Sequence, residues 1–153
     1  HDRLMESGAD LLIRTADSIV NGTVSSRPQP ASGEMRPAPK IFKETCRIDW
    51  SSDARSVRNF IRGLSPYPAA WSILRYDDGR EADMKIYKAS MSNRNTAGAE
   101  PGTIITDGRS YIDVVTGDGQ SVSLQEVQLA GKKRMHVNAF LCGTNLSGCS
   151  FKC

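Results

Sequence analysis

Short apolar stretches separated by glycine-containing turns occupy the chain from residue 71 to residue 129. Asp77-Asp78-Gly79 and Gly117-Asp118-Gly119 are turn signals of the hairpin kind. Turns that recur about every eight to twelve residues are typical of a compact barrel or a small sandwich and argue against a parallel sheet. The fold is therefore predicted to be mainly β, with strands over residues 71–76, 82–89, 102–106, 111–115 and 121–129.

The first part of the chain has a different pattern. Residues 2–21 carry apolar side chains at helical spacing, and Asn21-Gly22 supplies the left-handed turn that closes a helix. Four of the seven prolines lie between Ser25 and Pro39, which predicts a semi-rigid linker because proline fixes its own backbone torsion. The predicted organisation is a helical segment over 1–24, a proline-rich basic linker over 25–43, a barrel over 44–146 and a tail over 147–153.

Two further short helices are predicted beyond the linker. Ser51 or Ser52 can cap the first, with Asp53 at the positive end of its dipole. The second runs through Phe140 and Leu141. About five strands with a helix inserted near their start indicate an OB-like small β-barrel, preceded by a helix and a linker. The buried stripe of the first helix is predicted to consist of Ala54, Val57, Phe60, Ile61 and Leu64.

Positive charge is concentrated in one block. The chain has a net charge of +3, but residues 36–63 alone hold seven basic and three acidic residues, a net charge of +4. Such a block fits the backbone of RNA or DNA, and it is equally compatible with a solvated helix face. A nucleic-acid function is therefore a hypothesis at this point, with a plain soluble surface as the alternative.

No arrangement of residues suggests catalysis or metal binding. His136 is one of only two histidines and has no nucleophile motif around it, while Asp77-Asp78 is explained by its turn. The spacing of the cysteines matches no common zinc pattern, so free thiols are predicted. Neither a catalytic residue nor a metal or cofactor site is expected in this chain. The cysteines are Cys46, Cys142, Cys149 and Cys153, and the methionines predicted to fill the barrel are Met84, Met91 and Met135.

The chain begins with His1 and not with methionine, so we expect it to be processed, trimmed or cut from a longer protein. Neither a secretory leader nor an apolar run of membrane-spanning length is present in it. A cytoplasmic location without membrane attachment is therefore expected.

Several strings resemble the carboxy-terminal domain of methionyl-tRNA formyltransferases, and they occur in the order of that family over roughly residues 38–143. Residues 1–29 resemble the last helix of the family's amino-terminal Rossmann-like domain. The strings are Pro39-Lys40-Ile41, Arg47-Ile48-Asp49-Trp50, Ile61-Arg62-Gly63-Leu64-Ser65-Pro66-Tyr67-Pro68 with Ala70-Trp71, Pro101-Gly102-Thr103-Ile104, Thr116-Gly117-Asp118-Gly119, Leu124-Gln125 and Leu129-Ala130-Gly131-Lys132-Lys133-Arg134-Met135.

The resemblance implies a function for the longer protein. Members of the family transfer a formyl group from 10-formyltetrahydrofolate to the amino group of initiator methionyl-tRNA, using residues of their amino-terminal domain. The catalytic asparagine, the histidine of the H-x-S-L-L-P string and the aspartate are not found here, so this fragment is expected to be inactive alone. Its implied task is to hold the tRNA through phosphates, which position a nucleic acid without reading its sequence.

The candidate RNA-binding residues follow from this implied task. Trp50, Trp71 and Pro68 are predicted to be core and corner residues and not base-stacking platforms. The resemblance implies a monomeric full-length enzyme. Residues 2–20 are candidates for association of the fragment with another copy or with the barrel. The strongest RNA-binding candidates are Lys40, Lys43, Lys132, Lys133 and Arg134, and the weaker ones are Arg36, Arg47, Arg58 and Arg62.

Two alternatives stay open. The same domain occurs in formyltransferases that act on sugar nucleotides or folates. Those proteins have less reason to keep basic residues in the linker and in the closing loop, Gly131-Lys132-Lys133-Arg134. A protein-interaction barrel with no RNA role is the other alternative, in which the basic block merely maintains solubility.

Overall fold

The structure is a computed structural model that describes residues 2–28, 37–96 and 98–152. Its contacts divide the chain into two compact units, residues 1–39 and residues 40–153. The first unit contains helix α1 (Asp2–Val20), which buries none of its side chains. Backbone hydrogen bonds from Asn21 and Thr23 close the helix, as the Asn-Gly pair predicts.

The second unit contains the predicted barrel. Its strands lie close to their predicted positions, and the strand predicted over 121–129 has those same bounds. The elements are a 3₁₀ turn (Glu44–Cys46), α2 (Ala54–Leu64), β1 (Ala70–Arg75), β2 (Glu81–Ser92), β3 (Ile104–Thr106), β4 (Ile112–Val115), β5 (Ser121–Leu129), β6 (Met135–His136), α3 (Val137–Leu141) and β7 (Ser150–Phe151).

The sheet closes on itself. Its strands are ordered β3-β4-β5-β2-β1-β7, every pair is antiparallel, and β6 adds to β5. Thr103, just before β3, forms a bridge with Ser150 of β7, and the Phe151 amide donates to the Gly102 carbonyl over 2.8 Å. Closure leaves few unpaired strand edges, which is how small barrels avoid edge-to-edge aggregation. The prediction of a mainly β, barrel-like fold is confirmed.

Trp50 lies at the centre of the core. It is fully buried, its Nε1 donates to the Ser72 hydroxyl over 3.0 Å, and its ring stacks on Phe151 at 5.2 Å between centroids. Helix α2 covers one side of this core with its predicted apolar stripe, of which Ala54 and Ile61 are fully enclosed. The prediction that Trp50 is a core residue is confirmed.

Within the predicted tail over 147–153, the described residues 147–152 do more than form a tail. Ser150 and Phe151 pair with Arg75 and Leu74 of β1, and only 3% of Phe151 is exposed. A two-residue strand has too little periodicity to be recognised along the sequence, and its partners lie far away in the chain. The segment therefore completes the barrel.

The predicted cap of α2 is wrong by one or two residues. Asp53 is the N-cap, and its carboxylate accepts from the Ser56 amide over 2.9 Å. Ser51 and Ser52 are held instead by Asp49, which accepts from the Ser51 hydroxyl over 2.6 Å. Both serines are therefore hydrogen-bonded within the turn before the helix. Asp53 is left to accept from a free amide of the first helical turn.

The methionines differ from one another. Met84 is fully buried and Met135 packs against the core, as predicted, but Met91 is 42% exposed and does not fill the barrel. Met91 lies in the last two residues of β2, past the bulge that displaces the register of that strand.

Candidate nucleic-acid interface

Strand β2 carries polar residues on the outer face of the barrel. Met84 and Ile86 point into the core, so Lys85 between them points outward, as the two-residue period of a strand requires. Lys85 lies opposite Trp71 of β1 on one side and opposite Gln128 of β5 on the other. An aromatic ring, an ammonium group and an amide therefore form one row across three strands.

The row forms part of a depression that we call the linker groove. It has a volume of about 530 Å³. The end of the linker and the 3₁₀ turn form one wall, the corner after α2 forms another, and β1, β2 and the end of β5 complete it. Its lining residues are Ile41, Phe42, Lys43, Cys46, Tyr67, Pro68, Ala69, Trp71, Asp83, Lys85, Gln128, Leu129, Ala130 and Gly131.

Lys43 is held in place from two directions. Its carbonyl accepts from Trp71 Nε1 over 2.8 Å, which ties the end of the linker to β1. Its ammonium lies 4.8 Å from the centroid of the Trp71 ring and 3.1 Å from Asp83 Oδ2. Lys40 is held in a similar way, with its ammonium 5.3 Å from the Phe42 ring. Both predicted linker lysines therefore lie beside aromatic rings of the linker groove.

A second depression, the arginine cleft, lies beside α2. It has a volume of about 370 Å³ and contains four cationic side chains, with no carboxylate among its lining residues. The lining residues are Arg58, Arg62, Ser65, Tyr87, Lys88, Ala89 and Arg134. The structure thus brings together three of the predicted residues, two from the helix and one from the closing loop.

Arg134 is oriented by two contacts. Its guanidinium lies 4.2 Å from the centroid of the Tyr87 ring, and its Nε donates to Glu126 Oε2 over 2.8 Å. A second nitrogen of the guanidinium contacts the same oxygen. The hydrogen bonds from Arg134 hold the pKa of Glu126 below its usual value. Because stacking fixes the plane of the guanidinium, less side-chain freedom is lost when it meets a phosphate.

A β-bulge links the two depressions. The register between β2 and β5 shifts on both sides of Lys88, so Tyr87 and Lys88 can both line the arginine cleft although they are consecutive. The Tyr87 hydroxyl also donates to Gln128 Oε1 over 2.6 Å, and Gln128 lines the linker groove. One hydrogen-bonded pair therefore forms the boundary shared by the groove and the cleft.

The other candidates have different positions. Lys132 and Lys133 are exposed in the turn between β5 and β6, where the Lys132 carbonyl accepts from Gln128 Nε2 over 2.9 Å. Arg47 is half-buried and lines a separate depression beside α2, where its guanidinium donates to the Lys152 carbonyl over 3.4 Å. Arg36 lies outside the described residues.

Sequence reasoning missed Lys85, Lys88 and Tyr67. The alternation of β2 was available in the sequence and would have placed Lys85 on the outer face beside the predicted residues. Lys88 depends on the bulge, which has no signal in the sequence. Tyr67 is 88% exposed at the corner after α2, and Trp71, predicted as core, is only half-buried.

A polar cluster lies on the same sheet. Asp113 of β4 is fully buried, and it accepts a hydrogen bond from Ser92 and forms an ion pair with Arg94 at 2.9 Å. The Arg94 guanidinium also lies 3.7 Å from the centroid of the Tyr111 ring.

His136 lies at the start of α3, with Nε2 4.0 Å from a carboxylate oxygen of Glu126.

The described residues contain neither a metal-ligand cluster nor a membrane-spanning helix. Among residues 2–28, 37–96 and 98–152, no three His, Cys, Asp or Glu side chains group as a metal site would need. Within the same ranges, no helix combines the length and apolar character that a bilayer span requires. Cys46, Cys142 and Cys149 are free thiols, and Cys153 lies outside the described residues.

Comparison with known proteins identifies the barrel. The family described as formyl transferase, C-terminal domain, matches residues 40–145. The chain belongs to this family. The match covers the 3₁₀ turn, α2, α3 and strands β1 to β6, together with the linker groove and the arginine cleft. The resemblance drawn from the sequence strings is confirmed.

Curated relatives of this formyltransferase domain are methionyl-tRNA formyltransferases. The protein of that name from Bacteroides fragilis is 47% identical over 150 residues, which are 96% of this chain and 46% of the relative. The one from Bacteroides thetaiotaomicron is 49% identical with the same coverage, and the one from Staphylococcus aureus is 43% identical over 143 residues, or 94% of this chain and 44% of the relative. The chain thus spans about half the length of the curated relatives it matches.

Among solved structures, the formyltransferase domain resembles HypX from Aquifex aeolicus. The HypX complex with tetrahydrofolic acid gives a TM-score of 0.58 at 18% sequence identity, covering 91% of this chain and 23% of HypX. A multiply substituted HypX variant gives a TM-score of 0.57 at 19% identity. At this identity the likeness supports the fold alone.

Proposed function

We propose that this chain is the tRNA-holding carboxy-terminal part of a methionyl-tRNA formyltransferase. The observation that carries the proposal is the basic face that runs from the linker groove to the arginine cleft, on a chain 47% identical to proteins of that name. The partner is initiator methionyl-tRNA, the process is translation initiation, and the enzyme acts as a monomer in the cytoplasm.

The arginine cleft is suited to phosphate. Arginine offers a planar fork of donors that matches phosphate oxygens, and a cleft with four cations and no lining carboxylate attracts a polyanion. The linker lysines and the exposed Lys132 and Lys133 extend the same charge along the face. Such contacts position a nucleic acid without reading its sequence. This suits a domain that binds the same kind of tRNA in every catalytic cycle.

The chemistry belongs to the part of the relatives that this chain does not span. We assign 10-formyltetrahydrofolate, the formyl donor, to that part, together with the groups that transfer the formyl unit to the amino group of methionyl-tRNA. The side chains of the two depressions on this chain suit phosphate and aromatic rings, and their task is to hold the tRNA while its acceptor end reaches the transfer site.

The test is a salt titration of tRNA binding. Affinity should fall steeply between about 50 and 200 mM salt, with a log–log slope of roughly −0.7 to −0.9 for each phosphate contact. Arg62→Gln should reduce the magnitude of the slope by about one contact. Arg55→Gln is the matched control, because Arg55 is an exposed arginine of the same helix that does not line the cleft. A tRNA affinity that does not change with salt would contradict the proposal and favour a protein-interaction barrel.

A further inference from the structure

The linker groove exposes more apolar surface than a phosphate contact needs. Tyr67 is 88% exposed, Ile41 57% and Phe42 53%, and all three line the same groove. Adjacent exposed apolar side chains on a folded domain mark a binding site. The ligand of this groove therefore has a flat or apolar part in addition to any charged group that the charged residues of the groove bind.

The charged residues of the groove favour an anion. Two cations, Lys43 and Lys85, line it with a single carboxylate, Asp83, which is already ion-paired with Lys43. Lys85 forms no ion pair within residues 2–28, 37–96 and 98–152. Its ammonium is therefore available to an anionic ligand without first displacing a carboxylate.

The strand register places the aromatic Trp71 beside the cation Lys85, and the exposed Tyr67 lines the same groove. Trp71, Lys85 and Gln128 are direct neighbours across three strands, and opposite residues in a sheet have Cβ atoms about 5 Å apart. One nucleotide has matching parts, namely a flat ring with polar edges and a phosphate a few ångströms away. Aromatic rings beside cations are how barrels of this type bind single-stranded nucleic acid.

We propose that the linker groove binds one unpaired nucleotide of the RNA, with its base on the Tyr67 ring and its phosphate at Lys85. The inference rests on the proposed function, because the groove adjoins the arginine cleft through Tyr87 and Gln128. Bases inside a duplex are stacked on each other and present no free face. The groove therefore takes a nucleotide from a loop or a single-stranded end, while the cleft holds duplex phosphates.

The test compares two RNA probes on the full chain. The first is an unstructured single-stranded ribo-oligonucleotide of about twenty nucleotides, and the second is a blunt duplex of about ten base pairs, which has nearly the same number of phosphates. Tyr67→Leu should weaken binding of the single strand about fivefold or more, because it removes the stacking face and keeps the apolar bulk. Binding of the duplex should not change. Tyr67→Phe, the matched control, should retain wild-type affinity for both probes.

The outcomes separate this inference from the proposed function. Equal single-strand affinity of wild type and Tyr67→Leu overturns the nucleotide groove, and so does an equal loss on both probes. If Arg62→Gln still weakens tRNA binding in those cases, the RNA-holding function stands without the groove. Salt-insensitive binding to every RNA overturns both. Because Tyr67 is exposed, an unchanged melting temperature in each variant confirms that the comparison is between folded proteins.

Discussion

Phe151→Ala tests whether the last residues of the chain hold the barrel closed. Phe151 is 3% exposed and stacks on the buried Trp50 ring at 5.2 Å. Removing a buried phenylalanine side chain costs about 3–5 kcal/mol, since it loses both transfer free energy and packing around the cavity. The stacked pair contributes about 0.5–1.5 kcal/mol beyond its buried area, so a cost of about 4 kcal/mol is expected.

That loss is large for one domain. A domain near 100 residues melts about 4 °C lower for each kcal/mol lost, so Phe151→Ala should lower the melting temperature by about 15 °C. Circular dichroism of the full chain at a far-ultraviolet wavelength measures the shift. Phe42→Ala is the matched control, because Phe42 is 53% exposed and its loss should cost less than about 1 kcal/mol.

The result that refutes the reasoning is a Phe151→Ala shift no larger than the Phe42→Ala shift. It would mean that the Phe151 side chain does not stabilise the barrel, since the backbone hydrogen bonds from Phe151 and Lys152 to the Gly102 and Ile73 carbonyls are retained in the variant. The barrel would then be complete at residue 145, where the match to the family ends.

Three further predictions concern stability. Gly117→Ala should cost about 3 kcal/mol in a denaturant titration, because a Cβ there would lie 1.7 Å from the Ser51 carbonyl oxygen; a neutral effect would contradict that close approach. Gly63→Ala, where a Cβ meets nothing within 4 Å, should instead stabilise α2 by about 0.5–1 kcal/mol, and a loss in the same titration would count against the helix assignment. Hydrogen bonds from Ser110 and neighbouring amides lower the pKa of Asp107. The contribution of Asp107 to the free energy of unfolding is therefore complete above about pH 4, the pKa of an aspartate in the unfolded chain, and is lost as the pH falls further. Asp107→Asn should therefore flatten the acid limb of a stability–pH curve, and an unchanged limb would contradict this role.

The sequence predicts the barrel well where local pattern and tertiary structure agree. Strand β5 alternates polar and apolar residues except at Gln125-Glu126 and has polar turns on both sides, so its bounds follow from the residues alone. Helix α2 combines a stripe that ends at Leu64 with the prolines that follow it. Both elements carry their full signal within about ten residues.

Features that depend on distant partners are not predictable in the same way. Strand β7 exists because Leu74 and Gly102 offer backbone partners to Phe151, and neither lies near it in the chain. The bulge at Lys88 depends on pairing with β5, and without it Tyr87 and Lys88 would face opposite sides of the sheet. The candidate site was therefore predicted as a set of charges, while its division into groove and cleft came from the structure.

The two depressions share one device for presenting charge. Lys43 lies over Trp71 with Asp83 beside it, and Arg134 lies over Tyr87 with Glu126 beside it. Each cation is therefore ordered before any ligand binds, and an anionic ligand such as phosphate would have to compete with the ion pair.

An exposed pair such as Lys43–Asp83 is worth only about 0–1 kcal/mol, so a phosphate can displace its carboxylate at little cost. The displaced acid then stays near the bound phosphate and repels it. Such a face should hold RNA in a defined orientation with modest, salt-sensitive affinity. Under the proposed function, this balance favours release of the tRNA after each formyl transfer.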